Sequence, residues 1–159
     1  GLLPAEPVLV IGQPTVADPS RAPAGKHVLW VQVRTLPFAI RGDAAGTIAE
    51  HDWASVKEAY ADRALAILER YAPGTRARIL ARHVASPADL AADVPNLVEG
   101  DSLAGSHHMD QNYLFRPAFG RSRYRTGVAG LNMVGASTWP GAGTGAGSGF
   151  LCAKQLAGA

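Results

Sequence analysis

The residues best suited to chemistry lie in one run. Gly135, Gly141, Gly143, Gly145, Gly147 and Gly149 fall between a short apolar stretch, Leu131 to Val134, and a second one, Phe150 to Leu156. A strand, a glycine turn and a helix of small residues form a device for holding an anion or an electron-rich ring. Glycine removes the Cβ that would keep a ligand off the backbone. A helix start offers N–H groups without intrahelical partners and a partial positive charge. Gly141, Gly143 and Ala146 fit the G-x-G-x-x-A spacing of a dinucleotide fingerprint. That fingerprint also needs a second parallel strand and an acid about 20 residues on. Neither follows here, so an autonomous dinucleotide-binding unit is not expected. A phosphate loop lacks its lysine, because Gly147 precedes Ser148. Two readings of the run stay open, tight helix packing and a ligand cradle.

Other candidates are weaker. His107 and His108 with Asp110 raise the possibility of a metal. Adjacent side chains on a strand point apart and no further cluster joins them, so a polar loop is expected and no metal. Gly147-Ser148-Gly149 matches only part of the G-x-S-x-G nucleophile elbow. Cys152 has apolar neighbours and reads as an inert packed thiol. Trp30, Trp53 and Tyr60 read as core.

The elements that must carry these residues follow from periodicity. Residues 8–16 and 27–35 are apolar and β-branched, and they read as two strands of a long-looped hairpin. Pro37 to Gly46 reads as a loop. Trp53, Val56, Tyr60, Ala64, Ile67, Leu68 and Tyr71 recur at steps of three and four, which predicts a helix over 53–72 capped by Asp52. Residues 76–84 predict a third strand. Ser86-Pro87-Ala88-Asp89 opens a short helix over 87–93, with the serine as cap, proline at the first position and the acid at the third.

Composition narrows the class. Fifteen Lys and Arg face 13 Asp and Glu, a net charge of +2, and the arginines are scattered, so a nucleic-acid binder is excluded. At 47% hydrophobic and 18% charged residues, the 159-residue chain can build a core and is not a disordered segment. The single cysteine excludes an internal disulfide. No apolar run reaches the roughly 20 residues of a membrane span, and no secretory signal is read. A cytoplasmic or membrane-peripheral protein is expected.

Three segments carry a resemblance. Gly100 to Pro117, GDSLAGSHHMDQNYLFRP, resembles the G-D…D-Q…F-x-R-P stretch of phytoene dehydrogenase-like flavoproteins. Ser122 to Gly143, SRYRTGVAGLNMVGASTWPGAG, looks like that family's Y-R-T-P-V-x-G-L-Y-L-x-G-A-x-T-H-P-G-G-G block. Asp18 to Trp30, DPSRAPAGKHVLW, resembles its D-P-S-x-A-P-x-G-x-H strand pair. The family usually has proline where Gly127 stands and often histidine where Trp139 stands.

The resemblance implies a mixed α/β fold, the C-terminal part of a two-domain FAD-binding oxidoreductase. Residues 1–99 would belong to the substrate-binding domain. Residues 100–159 would complete the FAD domain with its closing strand and helix. The implied activity is hydride transfer from a carbon of a small-molecule or lipid-like substrate to the flavin. Gly135 and Ala136 would end the strand beside the flavin's ribityl and pyrophosphate part. Gly143, Thr144, Gly145 and Ala146 would open the last helix near its pyrimidine edge. Trp139 would stack on the flavin or wall the substrate channel. Phe115 and Arg116 would line the substrate side, with Arg116 equally readable as a loop anchor pairing with carboxylates or carbonyls. No residue is assigned as catalytic acid or base. The G-x-G-x-x-G unit for the adenosine half of FAD is expected from an N-terminal half or a second chain. The alternative is a non-catalytic structural or interaction subunit that keeps the fold remnant.

Overall fold

Asp52 starts the longest helix. Its carboxylate accepts the Ser55 N–H at 2.9 Å, and helix α1 runs over Trp53–Tyr71 in the computed structural model, which describes residues 1–142 and 146–158. One face of α1, Trp53, Val56, Tyr60, Ala64 and Leu68, is buried; of the two others that the spacing put on that face, Ile67 is half-buried and Tyr71 is exposed, because the last turn runs past the core. The chain divides into two compact units, Gly1–Asp93 and Val94–Ala159. The sequence reading put its boundary after residue 99.

In the first unit, β1 (Leu2–Leu3) pairs in parallel with β4 (Gly42–Asp43), inside the stretch read as a loop. β2 (Leu9–Gly12) pairs antiparallel with β3 (Trp30–Val33), with Leu9 opposite Val33 and Gly12 opposite Trp30. The expected hairpin therefore forms, with strands shorter than 8–16 and 27–35. Pro14 and Pro19 each open a 3-10 turn in the connection, which stops β2 from extending. Leu3, Ile40, Trp53, Val56 and Tyr60 make the core, with Val33, Leu36, Ile48 and Ala88 packed against it. Trp30, read as core, is 52% exposed, since it stands at the first position of β3 in a two-stranded sheet, opposite Gly12. Trp53 donates its indole N–H to the carbonyls of Pro37 and Phe38, and its ring meets Tyr60 edge-on at 6.4 Å.

Arg63 locks this unit. It forks onto the Asp43 carboxylate at 2.7 and 2.6 Å and also donates to the Pro4 carbonyl and the Thr47 hydroxyl. The Asp43 side chain is 1% exposed and also accepts backbone N–H groups of Ala45, Thr47 and Ile48. The Arg63 guanidinium, ahead of these N–H donors, holds the Asp43 carboxyl far below the usual carboxylate range.

The strand predicted over 76–84 is not there. Arg76–Arg78 is a 3-10 turn, and the residues after it pair with no strand. Its arginines turn back to α1 instead. Arg82 pairs with Glu58 and Asp62, and Arg76 donates to the Asp62 carbonyl. Helix α2 (Pro87–Asp93) forms where the sequence places it. Asp89 accepts the Ser86 N–H at 2.8 Å, and the Ser86 hydroxyl accepts the Asp89 N–H at 3.2 Å, a reciprocal cap.

In the second unit the expected closing strand near Leu131 is reduced to one bridge, Arg125 to Asn132. The Thr126 N–H and hydroxyl both donate to the Leu131 carbonyl, so the chain turns back locally rather than extending. Three-residue 3-10 turns follow one another at Val98–Gly100, Met109–Gln111 and Tyr113–Phe115. The closing helix α3 spans Gly147–Leu156. The buried side chains of this unit are Arg116, Tyr124, Thr138, Ser148 and Cys152 among those described, with Gly141 buried beside them, so its interior is mostly polar. No described helix is long and apolar enough to cross a membrane.

Candidate functional site

The site is built on loops, and backbone carbonyls fix them. The Asp101 carboxylate accepts the N–H groups of Leu103 and Gly105 and curls that loop. The Asn112 side-chain amide donates to the carbonyls of His107 and His108. Arg116, 4% exposed, reaches into the ring so formed. Its Nη2 donates to the carbonyls of Leu103 at 3.2 Å and Ala104 at 3.1 Å. Its Nη1 donates to Ser106 at 3.1 Å and Gln111 at 3.2 Å. Its Nε donates to Ala136 at 3.2 Å. A guanidinium has five N–H groups, and these bonds use them all. The geometry is that of the anchoring role that the sequence set beside a substrate-lining one. Phe115 next to it is 43% exposed, with its ring centroid 5.7 Å from that of Phe119.

Gly135 and Ala136 do not end a strand. They open a tight turn in which Thr138 N–H and hydroxyl both donate to the Gly135 carbonyl, and Gly141 N–H donates to the Thr138 carbonyl at 2.7 Å. Gly135 has φ 126°, a value that side chains rarely adopt. Its N–H donates to the Ser148 hydroxyl at 3.0 Å, which ties the turn to the first residues of α3. Trp139 is half-buried, and the buried Tyr124 hydroxyl donates to its carbonyl at 2.9 Å. Burial pushes the Tyr124 phenol above its ordinary value, and the Cys152 thiol nearby adds to this. The Trp139 ring stacks on Tyr113, with centroids 4.8 Å apart and planes 28° apart. Tyr113 and Tyr124 both take left-handed backbone, at φ 51° and 64°. Such strain costs about 1–3 kcal/mol each and persists only where the surroundings impose it.

Ala146 caps α3 from outside rather than opening it. The Ala146 side chain makes no cap hydrogen bond. Gly143, Thr144 and Gly145, the remaining residues that the resemblance assigns to the cofactor, lie outside the described residues. Among the described residues no group of three His, Cys, Asp or Glu stands close enough to share a metal ion.

FAD would ask this turn for room beside the backbone and for unspent N–H donors. The room is there at Gly135, where an added Cβ would meet nothing within 4 Å. The start of α3 offers N–H donors that the alanine at its cap position, Ala146, does not bond. No acidic side chain enters the first turn of α3. The residues present fit an electron-rich ring edge. Two contributors escaped the sequence reading. Tyr113 gives no signal beyond its place two residues before Phe115. Ser148 looked like a fragment of a nucleophile elbow and serves instead as a hydrogen-bond acceptor between turn and helix.

No protein-family profile matches the chain, and no solved structure matches it. Curated proteins do. The pyridine nucleotide-disulfide oxidoreductase domain-containing protein 2 of Mus musculus is 33% identical over 143 residues, 90% of this chain and 23% of that protein. The phytoene dehydrogenase of Streptomyces griseus is 33% identical over 161 residues, 99% of this chain and 29% of that protein. The lycopene-forming phytoene desaturase of Pseudescherichia vulneris is 33% identical over 136 residues, 85% of this chain and 25% of that protein. The chain spans about a quarter of the length of the curated relatives it matches. Its loop anchor, its glycine turn and its closing helix thus sit in a chain that is, over nearly its whole length, a relative of the phytoene dehydrogenase-like oxidoreductases.

Proposed function

We propose that this chain is the C-terminal part of an FAD-dependent oxidoreductase of the phytoene dehydrogenase-like group. The observation that carries the reading is the Gly135–Ser148 junction, a bare glycine turn bonded to the start of a helix whose cap residue is an alanine, in a relative of dehydrogenases. FAD, when bound, would supply the redox chemistry by taking a hydride from a carbon of a small-molecule or lipid-like substrate.

The chain's own residues bind and orient. Gly135 and Ala136 let the ribityl and pyrophosphate part approach the backbone. The α3 start, with Ala146 before it and Gly143, Thr144 and Gly145 upstream, presents positive dipole to the pyrimidine edge, where reduction adds negative charge. Trp139, held by Tyr124 and covered by Tyr113, forms part of the site wall and transfers no proton, since indole is a donor only. Phe115 faces the substrate side. The first unit belongs to the substrate-binding domain, and the G-x-G-x-x-G unit comes from an N-terminal half or a second chain.

Titration of FAD into the chain alone and into the chain with a polypeptide carrying that unit tests the reading. The expected result is weak binding alone and a stoichiometric yellow complex in the pair. A pair that assembles yet stays colourless under saturating FAD overturns it in favour of a non-catalytic subunit.

A further inference from the structure

Arg116 holds more than its own loop. Its Nε donates to the carbonyl of Ala136, the second residue of the glycine turn. At the other end of the turn, a Cβ on Gly141 would lie 3.5 Å from the same Nε and 3.5 Å from Cε1 of His107. The guanidinium therefore sits under both ends of the Ala136–Gly141 turn. Its remaining donors root it in the carbonyls of Leu103, Ala104, Ser106 and Gln111. Among the described residues no carboxylate pairs with it. The carbonyl dipoles solvate the charge without cancelling it. A buried positive charge thus stands directly beneath the turn.

We infer that Arg116 is the positioning residue of the flavin-binding turn, fixing the backbone from Ala136 to Gly141 and lending it a positive potential that favours the reduced cofactor. This rests on the function proposed above. Two properties of arginine are in use at once. The planar fork places five donors and sets the geometry, and the permanent charge sets the potential. Lysine keeps the charge and loses the fork. Glutamine loses the charge and most of the donors.

The test uses the FAD-loaded protein assembled with the polypeptide carrying the adenosine-binding unit, and measures FAD affinity, two-electron midpoint potential and Tm for Arg116→Lys, Arg116→Gln and Gly141→Ala. Arg116→Lys is expected to weaken FAD binding about tenfold with the potential nearly kept. Arg116→Gln should weaken the reduced cofactor relative to the oxidised one by about a further tenfold, a drop of about 30 mV. Gly141→Ala leaves Arg116 intact, sets a methyl in ordinary contact with it, and strains the end of the turn at φ 96°, so it should shift the same backbone and weaken FAD binding. It carries the test if the Arg116 variants do not fold. Wild-type FAD affinity in both Arg116→Lys and Gly141→Ala overturns the positioning role. A potential unchanged in a folded Arg116→Gln overturns the electrostatic half. A wild-type assembly that holds no FAD overturns the functional reading itself, an outcome visible before any variant is made.

Discussion

Each unit is organised by one arginine, and the two arginines work in opposite ways. Arg63 meets Asp43, a carboxylate that is itself 1% exposed, beside an apolar core of Leu3, Ile40, Trp53, Val56 and Tyr60. Arg116 meets five backbone carbonyls and no carboxylate, in a unit whose buried side chains are mostly polar. In the first unit burial of apolar surface supplies the stability, and the ion pair fixes how β4 joins α1. In the second unit little apolar surface is buried among the described residues, so hydrogen bonds from one side chain replace the core. A scaffold of the first kind tolerates loss of its arginine in part, because the core remains. A scaffold of the second kind has, among its described residues, little apolar burial behind the arginine. The candidate site lies on the second kind, where loops are aimed by side-chain hydrogen bonds to backbone, most of all those of Arg116.

The comparison breaks most visibly at Arg116. Arg116→Ala removes five part-buried hydrogen bonds to carbonyls, and a hydrogen bond from a charged group is worth about 1.5–3 kcal/mol. We expect at least about 4 kcal/mol of destabilisation, read as loss of dispersed amide resonances for residues 94–158 while those of 1–93 persist. A loss under about 1 kcal/mol would mean the second unit has another anchor.

Trp53→Ala should cost the first unit about 3–5 kcal/mol by opening a cavity in its core and freeing the carbonyls of Pro37 and Phe38, measured by urea denaturation. Equal disturbance of residues 94–158 in the same amide spectrum would show that the two regions do not differ in their source of stability.

Acid sharpens the contrast. Asp43 is held well below the usual carboxylate range by Arg63, so its contribution is complete above the ordinary aspartate value near 4 and is lost as pH falls toward the lowered folded value. The carbonyls around Arg116 do not titrate. Lowering the pH from about 5 to 2 should therefore weaken the first unit through this pair, and Asp43→Asn should flatten that slope. An unchanged slope would place the acid sensitivity elsewhere. The smallest effect is expected at the α2 cap, where Ser86→Ala should cost about 1 kcal/mol, seen as a small shift in denaturation midpoint.

What the sequence disclosed follows the same division. Helix α1 was legible because its buried face repeats at helical steps from Trp53 to Leu68. The Ser86–Asp89 cap was legible because both partners are side chains at a fixed spacing. Residues 76–84 misled because arginines alternating with apolar residues imitate a half-buried strand, while their real partners, Glu58 and Asp62, sit a helix away in sequence. The stretch after Leu131 misled because its apolar run finds no partner strand beyond the single bridge at Asn132. Arg116 could not be resolved between anchor and site wall, because its partners are carbonyls, which every residue carries and no spacing reveals. Tyr113 stayed hidden for a related reason. Its contact with Trp139 joins residues far apart in sequence, on a left-handed backbone that no pattern announces.

The carbonyl ring around Arg116 also decides what kind of change this region can accept over time. A carbonyl is present whatever side chain the residue bears, so replacements at Leu103, Ser106 or Gln111 leave an acceptor in place. An added or deleted residue between Leu103 and Arg116 slides every later carbonyl out of register with a rigid planar fork. The segment is therefore free in spelling and fixed in length. Related chains can diverge in the letters of this loop while keeping its count, and a single-residue deletion there should do more harm than several substitutions together.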